Sequence, residues 1–135
     1  MFCQAVFAVK FRKAVIQDSF KLELNAVIGN LINETGAKTL IVNGHVDHVH
    51  CLFQFYPKHA VSDVLKNAKA KSSKWLNESN LLEHRFEWQS GFGSFTYSEK
   101  EVQKVVEYVK NQETHHQKMT FKAVSYTHLR ANETG

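Results

Sequence analysis

His48 and His50 lie two residues apart in a stretch that reads as a strand. Positions i and i+2 of a strand share a face, so two imidazoles stand side by side, as ligation of one divalent ion requires. With eight histidines in 135 residues, about 0.5 such pairs arise by chance, so the plain alternative is two half-exposed strand histidines. His45 belongs to the turn region before that strand and reads as a surface residue. Tyr108 and Gln112 are i and i+4 on a helical stretch and share one of its faces. A phenol oxygen is an available nucleophile, but a tyrosine buried to anchor its helix fits the same spacing. Lys66, Lys69, Lys71 and Lys74 crowd one side of another helix, either as a solvated face or as a surface for phosphates. Phe86, Trp88, Phe92 and Phe95 surround a glycine pair and either stack on bases or enter the core. At least Phe86 and Trp88 are expected to be partly core. His115 and His116 follow the tyrosine and suit either a phosphate contact or a helix end.

These residues need elements to position them. Cys3 to Lys10 is apolar and β-branched enough for a buried strand. Phe20, Leu24, Val27, Ile28, Leu31 and Ile32 recur at helical spacing, with Asp18 or Ser19 to cap the start and Gly36 the end. Thr39 to Val42 reads as a strand, and Asn43-Gly44 as a tight hairpin turn. The strand from Val46 to Tyr56 sorts Val49, Cys51, Phe53 and Phe55 onto one face and His48, His50 and Gln54 onto the other. A second helix runs from Ser62 to Asn77 on Val61, Val64, Leu65, Ala68, Trp75 and Leu76. Phe86–Trp88 and Phe95–Tyr97 read as a second hairpin around Gly91 and Gly93. Ser98 and Glu101 form a capping box, opening a third helix with a stripe of Val102, Val105, Val106 and Val109. The order β-α-β-β-α-β-β-α implies an α+β sandwich, two helices on one face of an antiparallel sheet, with the third helix packing elsewhere.

Composition sets the outer bounds. A chain of 135 residues, 43% hydrophobic and 22% charged, is one ordinary globular domain. No apolar run approaches the roughly 18 residues of a membrane span. Charges follow the first apolar stretch, the wrong order for a secretory signal, and two cysteines make no disulfide framework, so a cytoplasmic protein is expected. A formal net charge of +4 permits nucleic acid as a partner without requiring it. A zinc site combining Cys3 with the histidines is a remote alternative.

Three strings in order carry a resemblance: Asp47-His48-Val49-His50, Phe86-Glu87-Trp88-Gln89-Ser90-Gly91-Phe92-Gly93 with Phe95, and Tyr108-Val109-Lys110-Asn111-Gln112 followed by His115-His116. Together they resemble the single-tyrosine HUH transposases of the insertion sequence 200/605 type, including their relatives associated with repeated palindromes. Val6–Lys10 with Arg12, and Ser72–Trp75, fit the same family. The resemblance covers about residues 4–122 and implies a ferredoxin-like α+β domain in which the third helix carries the tyrosine. It implies His48 and His50 as metal ligands, Gln112 as the third ligand, Tyr108 as the nucleophile, and Mg2+ or Mn2+ as the ion. The implied partners are single-stranded DNA beside a hairpin and a second copy of the chain in a homodimer, with no membrane. Candidate DNA contacts are Lys10, Arg12, Lys66, Lys69, Lys74, Trp88, Phe92, His115 and His116. The implied activity is metal-dependent cleavage and rejoining of single-stranded DNA through a 5′-phosphotyrosine. A non-catalytic module that binds single strands or hairpins is the alternative; a metal hydrolase using water is another. Residues 1–122 are expected to form the single transposase domain. Residues 123–135 depart from the family pattern, resemble translated adaptor read-through, and read as a non-native or disordered tail. The family also tends to have proline where His45 or Val46 stands.

Overall fold

The computed structural model describes residues 1–56 and 60–115, without the side chains of 99, 100, 105 and 112–115. Strand β1 (Phe2–Ala8) leads through a 3-10 turn (Lys10–Arg12) to helix α1 (Asp18–Glu34). Strands β2 (Lys38–Gly44) and β3 (His48–Gln54) follow, then helix α2 (Val61–Glu78), strand β4 (Gly93–Tyr97) and helix α3 (Glu99–His115). The sheet order is β2-β3-β1-β4 with every pairing antiparallel. This is the expected ferredoxin-like α+β sandwich. The tail at 123–135 lies outside the described residues.

One face of the sheet is covered by α1 and α2. Phe20, Leu24, Ile28 and Ile32 of α1 and Val64, Leu65, Ala68 and Leu76 of α2 close against Cys3, Ala5, Phe7, Val49, Cys51 and Phe53. Their spacing on each helix follows the helical period, so burial of that stripe sets the docking angle of both helices. Gly36, at φ +96°, follows α1 in the left-handed conformation and donates to the Asn33 carbonyl at 3.0 Å, as a terminating glycine should. The other face is covered by α3. Val109 is fully buried there with Phe2, Leu52, Phe95 and Tyr97, and Val102, Val106 and Tyr108 pack against them. The Glu101 carboxylate reaches back to the Ser98 N–H at 3.5 Å, one half of the capping box, and also accepts the Ser98 hydroxyl at 3.0 Å.

Two expected turns are not turns. Asn43 and Gly44 lie within β2, opposite His50 and Val49. Gly44 serves close approach: a Cβ there would stand 2.8 Å from Asn25 Oδ1 and 3.4 Å from Lys21 Cγ of α1. The reversal is made by Val46-Asp47, closed by the His45 N–H donating to the His48 carbonyl at 2.8 Å. The second expected hairpin is one interrupted edge strand. Residues 93–97 pair with 2–6 of β1, and the chain just before them pairs with the continuation of the same edge. Val9 bridges Trp88, the Lys10 N–H donates to Glu87 O, and the Gln89 N–H donates to Ala8 O. The glycine segment is a break in that edge, with Gly91 at φ +80°. A hairpin would have withdrawn Phe86 and Trp88 from the core; instead their rings meet edge to face at 4.7 Å within it.

Candidate metal centre and tyrosine helix

The β2–β3 hairpin brings three imidazoles together. Asn43 pairs with His50 and Gly44 with Val49, so the register continues to His45 opposite His48. All four polar side chains, Asn43, His45, His48 and His50, therefore project from the sheet face away from α1 and α2. One ligand nitrogen from each of the three histidines lies within 4.8 Å of the others. His48 and His50 are almost wholly buried, and their Nε2 atoms are closed to solvent. His45 is also largely buried, at 9% exposure, which corrects its reading as a surface residue. The missed signal was the turn: moving the reversal from Asn43-Gly44 to Val46-Asp47 leaves His45 opposite His48 at the end of the sheet. Cys3 is buried on the opposite face, in the core under the helix pair, so a zinc site joining it to the histidines is excluded.

Polar neighbours set the imidazoles' state. Asp47 Oδ1 lies 2.6 Å from His48 Nδ1 and its Oδ2 lies 3.4 Å from Arg12 Nε. Partial burial alone would raise the Asp47 carboxyl, but the bonds and charges of His48 and Arg12 hold it below the usual carboxylate range. Burial pushes His48 down to about 4, against the upward pull of Asp47. His48 is thus neutral near pH 7, with Nδ1–H directed at a carboxylate, the tautomer in which Nε2 carries the ring's lone pair. On His50, Nδ1 lies 3.5 Å from the amide nitrogen of Gln4, whose Oε1 accepts the Tyr97 hydroxyl at 2.8 Å. Gln4 is itself buried on β1. A neutral His48 beside a buried His50 ring suits a divalent ion, so the two histidines fit the group the resemblance implies.

Tyr108 belongs to the helix that covers this face. The Asn43 side-chain amide donates to the Val109 carbonyl at 3.0 Å in a buried bond, tying the residue after Tyr108 to the residue opposite His50. Tyr108 is half-buried, and burial pushes its phenol up to about 12. Gln112 lies one turn further along α3; its side chain, like that of His115, is outside the described residues, as is the whole of His116.

The candidate DNA contacts divide. Lys66, Lys69, Trp88, Phe92 and Lys10 line a groove of about 610 Å³ between α2 and the interrupted strand. Lys66 and Phe92 are exposed there. Lys69 instead donates to the Gln89 and Gly91 carbonyls at 2.7 and 2.6 Å, and partial burial lowers its ammonium. Trp88 is a core residue: its indole meets Phe7 edge to face at 4.7 Å and its N–H donates to Ser72 Oγ at 2.9 Å. Its ring is committed to packing and not presented for base stacking. Lys10 pairs with Glu87 at 3.0 Å, Arg12 with Asp47, and Lys74 with Glu78 at 3.9 Å.

Comparison with known proteins bears on the same region. A family model described as IS200-like transposase matches residues 1–112. A candidate transposase from Deinococcus radiodurans R1 superposes with a TM-score of 0.66 at 21% identity, over 83% of this chain and 90% of that one. A REP-associated tyrosine transposase bound to a REP hairpin superposes with a TM-score of 0.63 at 14% identity, over 85% of this chain and 67% of that one. Both likenesses are likenesses of fold. The search of curated proteins finds no match.

Proposed function

Since the chain belongs to the IS200-like transposase family, we propose that it cleaves and rejoins single-stranded DNA beside a hairpin, with Tyr108 as nucleophile. One observation carries the reading. The helix bearing Tyr108 lies over the sheet face that bears His48 and His50, held by the Asn43 bond to Val109 O at 3.0 Å. The hairpin as substrate draws on the REP hairpin held by the similar transposase.

The chain's own groups divide the work. His48 and His50 would hold a divalent ion, with Gln112 offered from the tyrosine helix; when bound, that ion supplies positive charge to the phosphate oxygens. Asp47 fixes the tautomer of His48, so that its Nε2 carries the lone pair. A phenol at about 12 is a poor nucleophile in the free protein, so Tyr108 attacks only as its proton leaves. Its oxygen then joins the 5′ phosphate as the P–O3′ bond breaks; water takes the phenol proton and returns one to the departing 3′ oxygen. The phosphotyrosine keeps the energy of the broken bond, so a later 3′ hydroxyl can attack it, rejoin a strand and release the phenol without ATP. Lys66 and Phe92 in the α2 groove suit a phosphate and a base of the bound strand.

The test is a denaturing gel with single-stranded DNA labelled 3′ to the cut. Wild-type protein with Mn2+ should give a covalent adduct that EDTA abolishes. Tyr108→Phe should fold, losing about 1 kcal/mol or less, bind DNA, and give no adduct, because phenylalanine has no atom to attack with. An adduct from Tyr108→Phe would end the assignment. Tight binding by the wild type with no adduct would favour the non-catalytic module. A homodimer with shared sites is read by mixing Tyr108→Phe with His48→Ala: partial recovery means that tyrosine and histidines come from different chains. The packing of α3 on its own sheet favours no recovery.

A further inference from the structure

We propose that His45 is a protein ligand of the metal, making a three-imidazole site selective for a first-row transition ion over Mg2+. The inference rests on the reading of His48 and His50 as the metal centre and adds a residue that the family resemblance does not place there.

The hairpin register supports it first. With Gly44 opposite Val49, His45 and His48 are the next pair, and their side chains must leave the same face of the sheet. The closing hydrogen bond from the His45 N–H to the His48 carbonyl, 2.8 Å, keeps His45 in line with the strand. The rings then lie close: His45 and His48 have centroids 4.6 Å apart and nearly parallel planes, 21° between them. His50 faces both edge on, at 5.9 Å from His45 and 5.2 Å from His48. Metal–imidazole bonds of about 2.0–2.1 Å let two ligand nitrogens stand at most about 4.2 Å apart. The three ligand nitrogens, within 4.8 Å of one another, must draw closer by more than half an ångström to share an ion, a movement for ring rotation to supply.

Burial is the second support. Val46, the next residue in the chain after His45, is 55% exposed. His45 is 9% exposed, with its Nε2 closed to solvent. The ring has been turned inward onto His48 and His50, where a third basic nitrogen raises affinity for an ion that accepts nitrogen donors. Imidazole suits Zn2+, Co2+ and Ni2+, whereas Mg2+ demands oxygen ligands and retains its waters. Three imidazoles in one site therefore discriminate against Mg2+ in a way that two imidazoles and a carboxamide do not.

Binding of Co2+ to the full chain, followed by calorimetry and by its visible d–d absorption, tests the proposal without recourse to DNA cleavage. Wild-type protein should bind Co2+ with a ligand-field spectrum, and a thousandfold excess of Mg2+ should not displace it. His45→Phe keeps a ring on His48 and removes the nitrogen; it should bind Co2+ at least about tenfold more weakly, with a changed band. His45→Gln should do the same in a polar background. X-ray absorption on the Zn2+-loaded wild type needs no variant and should count three imidazoles. A count of two, or unchanged affinity and band in both His45 variants, would overturn the assignment of His45 while leaving His48 and His50 in place. A His48→Ala/His50→Ala protein that binds Co2+ as tightly as the wild type would instead overturn the metal centre itself.

Discussion

Toward α1 and α2 the sheet presents Cys3, Ala5, Phe7, Val49, Cys51 and Phe53, every one apolar and closed to water. Toward α3 it presents Gln4, Asn43, His45, His48 and His50, five buried polar side chains, beside Phe2, Leu52, Phe95 and Tyr97. The same strands supply both faces: in β3, the alternation His48, Val49, His50, Cys51 sends one residue type each way. Burying a polar group costs free energy unless a partner is supplied, and here the partners are specific: Tyr97 for Gln4, Gln4 for His50, Asp47 for His48, the Val109 carbonyl for Asn43. One face holds the sheet together by area; the other is ordered by directional bonds. The division leaves the larger apolar cluster to hold the fold while the polar face carries chemistry.

The strongest attack on that division is Phe7→Ala. Phe7 is 1% exposed and meets Trp88 edge to face. Losing the ring should cost about 3–5 kcal/mol, a fall in melting temperature of about 10–20 °C. Thermal melts by circular dichroism would read it. His50→Ala, on the other face, should shift the melt far less while weakening metal binding. Equal melting shifts in the two variants would mean that the faces share the stability and that the contrast is false.

Much of this architecture was legible because periodicity reports burial. The stripe Phe20, Leu24, Ile28, Ile32 faces one partner layer, and the alternation through His48–Phe53 divides cleanly between two, so the core placed them as their spacing required. What escaped was set by contacts distant in sequence. Asn43-Gly44 has the composition of a turn, but Asn43 is held by α3 and Gly44 by the approach of Asn25, neither visible locally. Phe86–Trp88 and Phe95–Tyr97 flank glycines as hairpin arms do, yet both pair with β1. Competition for one edge cannot be read from either segment alone. The first error hid His45 from the site. Family membership and fold were legible from three short strings, whereas the pairing of Lys69 with two carbonyls depends on where the broken edge lies.

Gln4 sharpens the comparison at intermediate cost, because it is a deeply buried member of the polar face, 2% exposed. Gln4→Leu keeps the volume and removes the acceptor of the Tyr97 hydroxyl, which should cost about 1 kcal/mol. The more telling effect is on His50, whose Nδ1 accepts from the Gln4 amide nitrogen. That donor favours the tautomer with its proton on Nε2, the nitrogen an ion would need. Gln4→Glu keeps an acceptor for Tyr97 and instead accepts from His50 Nδ1–H, so it should raise metal affinity above that of the wild type by about tenfold, measurable by titration with Mn2+ or Co2+. If Gln4→Glu binds metal as the wild type does, the polar chain from β4 through β1 to β3 is packing and nothing more.

The smallest expected effect separates building from binding along α2, where two lysines one turn apart face the same groove. Lys69 donates to the Gln89 and Gly91 carbonyls at 2.7 and 2.6 Å, across the break in the edge strand. Lys66 is exposed on the groove wall. An ammonium already given to two carbonyls has little left for a phosphate, whereas an exposed one can replace a counterion on DNA. Lys66→Gln should therefore leave the melting temperature unchanged and reduce the log–log salt slope of single-strand binding by about 0.7. Lys69→Gln should do the reverse: a loss of about 1 kcal/mol of stability and a slope close to that of the wild type. Fluorescence anisotropy over a series of salt concentrations would measure both slopes. An unchanged slope in Lys66→Gln, or a slope lowered by Lys69→Gln alone, would move the bound strand from the open wall of the groove to the broken edge of the sheet.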